Sequence, residues 1–116
     1  MKDNAIAIKS KEFGKRTVKA YQYLLKINET IMSKQFLRSG TAIGALVKEG
    51  EFAQSKADFI NKMSIALKEA NETLYWIDLL RHGEYFNDAT ATSLSDEVKE
   101  IISLLVAIIK SSKGVE

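Results

Sequence analysis

The sequence has no cysteine and no proline. Without cysteine there are no disulfides, no thiolate metal sites and no thiol chemistry, which fits a reducing compartment. All-β sandwiches and barrels use proline in their turns, so its absence favours helices. Histidine occurs once, as His82. One histidine cannot supply the paired Glu-x-x-His motifs of a carboxylate-bridged di-metal bundle. It also leaves serine hydrolysis a single candidate base. Neither GxxxxGK nor GxGxxG occurs, so no phosphate-cradling glycine loop is present. No apolar run reaches the length of a membrane span. The N-terminal stretch MKDNAIAIKSKEF lacks the continuous apolar segment of a secretory signal. These absences predict a cytoplasmic protein that is not an enzyme, with no catalytic residues, cofactor, metal site, small-molecule substrate or membrane partner.

What remains is ordinary globular material. The 116 residues are 46% hydrophobic and 28% charged. That length predicts a single domain over residues 1–116, large enough to bury a core, with residues 1–8 as a flexible lead. The net charge is only +2, but it is unevenly spread. Residues 1–35 carry eight Lys/Arg against three Asp/Glu, and residues 36–116 carry nine against twelve.

Four segments show helical periodicity. The first runs from about Ser10 to Met32, with Phe13, Ala20, Leu24, Ile27 and Ile31 on one face and Thr17, Tyr21 and Asn28 beside them. The second runs from about Lys34 to Gly50, with Phe36, Ile43 and Val47 inward and Gly40 and Gly44 nearby. Those glycines, one turn apart, predict either close approach of another helix or a kink. The third starts at a Ser55/Asp58 capping box and ends near Gly83, read as a left-handed C-cap. Its inner face is Phe59, Ile60, Met63, Ala66, Leu67, Ala70, Leu74 and Ile77. The fourth follows the cluster Thr90 to Ser95 and runs to about Ser112, with Leu94, Val98, Ile101, Leu105 and Ile108 as its stripe. Short connections make neighbouring helices antiparallel, so the expected fold is all-α, an up-down four-helix bundle.

Three features bear on function. Lys11, Lys15, Lys19 and Lys26, with Gln22 among them, fall within roughly a quarter of the first helix's circumference, opposite its apolar face. Such a row is either a solvated face or a surface for nucleic-acid phosphates, where lysines give salt-dependent, sequence-independent affinity. No aromatic alternates with the lysines, so base stacking is not suggested. The third helix has a second apolar side: Ile65, Trp76 and Leu79 project away from its core face, flanked by Tyr75 and Lys68. A seam of that kind predicts an oligomer interface, with packing under the 84–91 loop or the N-terminal segment as the alternative. Finally, Arg38 and Glu49 share one side of the second helix, and Lys62 and Glu69 one flank of the third, near Glu72. These are candidates for ion pairs between helices or subunits, with a ligand site as the alternative. His82 beside the predicted C-cap suits the negative end of a helix dipole.

The residues also resemble a known family. Leu37-Arg38-Ser39-Gly40-Thr41, Ile43-Gly44-Ala45, Glu49, Gln54-Ser55-Lys56, Asp58-Phe59, Lys62, Ile65-Ala66, Lys68-Glu69, Glu72-Thr73 and Tyr75-Trp76 closely resemble the bacterial four helix bundle protein family. That family includes proteins encoded in intervening sequences of 23S ribosomal RNA genes, and the accessory variability determinant of diversity-generating retroelements is a relative. The likeness is strong over the second and third helices and a matter of pattern in the flanking ones. Leu46 and Lys48 depart from it, standing where the family commonly has asparagine and often an acidic residue. The resemblance implies a left-handed bundle, often a homopentamer, with no known enzymatic activity. For the retroelement relative it implies binding of nucleic acid and a reverse transcriptase through a basic surface. The expected partners are therefore further copies of the chain and RNA or a ribonucleoprotein. The rival expectation is a structural or adaptor homo-oligomer with a protein partner.

Overall fold

The computed structural model describes residues 4–114. Four helices account for most of them: α1 (Ala5–Lys26), α2 (Met32–Glu51), α3 (Lys56–His82) and α4 (Asp88–Ser112). No strand occurs among the described residues, and no helix there is long and apolar enough to cross a membrane. Each helix packs on its sequence neighbour and α1 also meets α4, the least closely packed of the four contacts. The molecule measures 45 × 24 × 21 Å. Its long dimension is close to the ~40 Å that the 27 residues of α3 span at 1.5 Å each.

Side-chain caps set most of the helix starts. Asn4 accepts from the Ala7 amide at 3.3 Å, Ser55 from Asp58 at 3.0 Å and Asn87 from Thr90 at 2.8 Å, each satisfying an amide that the helix leaves unpaired. Asp58 completes the expected box by accepting from the Gln54 amide at 3.1 Å. The Asn4 cap starts α1 at Ala5, ahead of the expected Ser10, so residues 5–8 form its first turn. Residues 1–3 of the supposed lead lie outside the described residues. The Asn87 cap likewise starts α4 before the Thr/Ser cluster, whose members sit inside the helix.

The largest departure is at the end of α1. The periodic reading carries the helix to Met32, but the structure ends it at Lys26 and turns the chain at Asn28, which has φ 68°. The buried carboxylate of Glu29 then accepts from the amides of Ile31, Met32 and Ser33, at 3.4, 3.2 and 2.6 Å. Those are amides of the α2 N-terminus, so Glu29 caps a helix that lacks a cap at Ile31 itself. Ile27 and Ile31 consequently point outward, Ile31 being 77% exposed. A second correction concerns Gly83. It has φ −78°, and the left-handed residue is its neighbour Glu84, φ 66°.

The core is built from the expected stripes. Phe13, Leu24, Phe36, Ile43, Met63, Ile77, Leu94, Val98, Ile101 and Leu105 are buried, together with Leu80 and Phe86. Phe86, in the α3–α4 connection, meets Phe36 edge-on with ring centroids 5.6 Å apart. A Cβ on Gly40 would stand 2.7 Å from Thr17 Cγ2, and one on Gly44 would stand 3.2 Å from the Ser10 carbonyl oxygen. The two glycines thus serve close approach of α1, and α2 runs unbroken through both.

Candidate functional site

On α1 the inner face is Ile6, Ser10, Phe13, Thr17 and Leu24. Lys11, Lys15, Lys19 and Lys26 all lie on exposed positions of the same helix. Lys15 pairs with Glu12 one turn away, at 3.1 Å. Among the described residues Lys11, Lys19 and Lys26 have no acidic partner. The cations beside the row do: Lys9 meets Glu100 at 2.9 Å and Arg16 meets Glu97, both on α4. The acids of α4 therefore neutralise the flank of α1 and leave three of the row's four lysines unpaired.

The second cluster joins α2 to α3. Arg38 pairs with Glu72 and, at 3.4 Å, with Glu69. The Trp76 indole Nε1 donates to Glu72 Oε2 at 3.0 Å. That indole bond, with Arg38 on the same carboxylate, holds the Glu72 carboxyl below its ordinary range, against the opposing effect of burial. Arg38 is pushed upward by the same pairing. One end of the cluster is Lys62, 3.7 Å from both Glu49 and Asp58. Beneath it Thr73 Oγ1 lies 3.0 Å from Ser39 Oγ and 2.8 Å from the Glu69 carbonyl oxygen, fully buried. This hydroxyl pair was not singled out from the sequence. The clue to it was polar residues falling on the buried stripes of α2 and α3. The charged members brace two helices.

The apolar side of α3 is more sheltered than its pattern suggests. Ile65, Trp76 and Leu79 are half-buried, and Trp76 packs against the core cluster. At Trp76, Glu72 takes the indole N–H and brings Arg38 beside it. Tyr75 remains 57% exposed and stands edge-on to Trp76, centroids 5.0 Å apart. Ile8, Ile31 and Phe52 are exposed elsewhere. His82 is exposed at the last position of α3. No group of three or more His, Asp or Glu is placed to hold a metal ion among the described residues.

No curated protein matches the chain. A solved structure from Bacteroides thetaiotaomicron, a protein of unknown function from the S23 ribosomal protein family, is 52% identical and superposes with a TM-score of 0.89. The match covers 90% of this chain and 98% of that one. The profile of the 23S rRNA-intervening sequence proteins matches residues 2–107. With nearly the whole chain matched, it belongs to the 23S rRNA-intervening sequence protein family.

Proposed function

We propose that this protein is a non-catalytic, cytoplasmic homo-oligomer that binds RNA, alone or in a ribonucleoprotein, through the lysine row of α1. The observation that carries the reading is the distribution of partners. Lys11, Lys19 and Lys26 are left without acids on one exposed arc, while adjacent cations are neutralised by α4. Unpaired lysines on every second turn of one arc, with the Glu12-paired Lys15 between the first two, suit a run of phosphates, to which they contribute affinity without sequence preference. The family's description names 23S rRNA, which favours RNA as the polyanion.

The subunit is an antiparallel up-down bundle of left-handed sense. Paired positions support the antiparallel order: Gly40 meets Thr17 and Gly44 meets Ser10, while Arg38 meets Glu72 and Glu49 meets Lys62. Rising numbers on one helix face falling numbers on the next. Handedness and a ring of five are carried over from the family resemblance.

The test is RNA affinity at several salt concentrations. The wild type should bind at low salt and weaken steeply as salt rises. Replacing Lys11, Lys15, Lys19 and Lys26 with glutamine should reduce the log–log salt slope by about 3, at roughly 0.7 per single-strand phosphate contact. Absence of RNA binding at low salt overturns the reading. An adaptor for a protein partner would then stand in its place, favoured by the exposed Ile8, Ile31 and Phe52.

A further inference from the structure

Beside Lys19, within the lysine row, a cleft of about 380 Å³ opens between α1 and the α3–α4 connection. That volume falls within the roughly 300–1,000 Å³ of small-ligand sites. Arg16, Lys19 and Tyr23 line it from α1, and Tyr85, Asn87 and Thr90 from the other side. Tyr85 comes from a distant part of the chain, but Tyr23 stands between Lys19 and Lys26, so the expectation that no aromatic interleaves the lysine row does not hold at this point.

The wall opposite α1 is held in place. Tyr85 follows the left-handed Glu84, and its amide donates to the Leu80 carbonyl at 2.9 Å. Its ring lies where a Cβ on Gly83 would stand, 3.0 Å from the ring's Cδ2 and Cε2. Glycine at 83 therefore makes room for the ring. Tyr23 is one turn beyond Lys19 on α1 and half exposed. Among the described residues the rings pair as Phe36–Phe86 and Tyr75–Trp76, so neither cleft tyrosine is covered by another ring. Lys19 carries an uncompensated charge, whereas Arg16 is shared with Glu97. Asn87 and Thr90 belong to the start of α4, where the Asn87 side chain takes the Thr90 amide and Asp88 offsets the positive end of the dipole.

We propose that this cleft takes one unstacked nucleotide of a single RNA strand, its base against Tyr23 and Tyr85 and its phosphate on Lys19. Aromatic faces accept any base, so the site confers a preference for single strands over duplexes rather than for a sequence. Lys15 and Lys11 then lie along α1 where the neighbouring phosphates of the same strand would run. The inference rests on the RNA reading for its polymeric ligand, but the cleft is testable apart from it.

The experiment has two arms. The first measures anisotropy of a labelled 12-nucleotide oligo(A) RNA and of a fully paired RNA duplex, against wild type, Tyr23→Leu, Tyr85→Phe and the four-lysine variant. Tyr23→Leu should cost the single strand about tenfold in affinity, with an unchanged salt slope and unchanged duplex binding. Tyr85→Phe keeps the ring and should bind as wild type does. The second arm adds millimolar adenosine monophosphate, with inorganic phosphate as control, and follows the tyrosine ring resonances by NMR. The nucleotide should shift Tyr23 and Tyr85, and phosphate alone should not move them. If the four-lysine variant loses RNA while Tyr23→Leu binds both RNAs normally, the cleft proposal is overturned and the RNA reading survives. If the rings respond to the nucleotide but neither RNA binds, the RNA reading falls and the nucleotide cleft stands. Unmoved tyrosine rings overturn the cleft.

Discussion

At the scale of single residues, what a position tolerates is set by what stands opposite it. Gly40 and Gly14 are both mid-helix glycines, each costing roughly 1 kcal/mol against alanine in helix propensity. A Cβ on Gly40 would meet Thr17 at 2.7 Å, whereas one on Gly14 meets nothing within 4 Å. Gly40→Ala should therefore destabilise by about 1–3 kcal/mol through overpacking, and adding Thr17→Ala should recover part of that loss. Gly14→Ala should stabilise by about 0.5–1 kcal/mol. Urea denaturation of these three variants beside wild type checks both signs. Glu72 makes a separate prediction. Its carboxyl is held below the ordinary value of 4.5, so its contribution is fully present above that pH. It is lost as the pH falls through the lowered folded-state value. Glu72→Gln should be less stable than wild type at neutral pH, by about 1 kcal/mol or less since Arg38 is half exposed. The gap should close on acidification below pH 4.5, which thermal melts across pH 3–7 would show. A gap independent of pH would mean that the charge on Glu72 does not matter.

At the scale of elements, the helices were legible where local period and buried face agree. The stripes of α2, α3 and α4 repeat every three to four residues, and the residues on them are the ones found buried or half-buried. The end of α1 was not legible for the same reason: Ile27 and Ile31 continue the apolar period past the true boundary. What ends the helix there is the left-handed Asn28, and Glu29 then caps α2 through amides two to four residues ahead; periodicity registers neither. Glu29→Ala should therefore leave three amides at the start of α2 without their acceptor and cost about 1–2 kcal/mol. Glutamine at 29 retains one acceptor oxygen and should cost less. Hydrogen exchange should report the loss first at the amides of Ile31, Met32 and Ser33. The candidate site was legible in part for a related reason. The lysine row lies on one helix and follows from its period, whereas Ser39–Thr73 and the Tyr23–Tyr85 cleft join residues far apart in sequence.

For the whole molecule, the question is what the outer side of α3 does once the chain has folded. α3 is the least amphipathic of the four helices, so it has no clean solvent face to present. The fold deals with part of that side itself: Glu72 ties down the indole and Arg38 lies over the carboxylate. Tyr75 is the part left uncovered, beside half-buried Ile65 and Leu79. If copies associate through this side, Tyr75 is the residue that separates assembly from folding, because its removal leaves the core intact. Tyr75→Arg should then lower the mass seen by light scattering toward the 13.0 kDa of one chain while circular dichroism stays unchanged. Trp76→Ala with Leu79→Ala should lower the mass as well, and in addition reduce stability, because the indole also packs on the core. A wild type that already runs at 13.0 kDa would remove the oligomer, and an oligomer unmoved by Tyr75→Arg and the double variant would place its interface on another face. The lysine row bears on the same measurement. Copies joined through α3 would multiply the α1 rows available to one RNA, and avidity would then steepen the loss of binding when the assembly is broken. Tyr75→Arg should thus weaken RNA binding even though it adds a positive charge, an outcome that simple electrostatics would reverse.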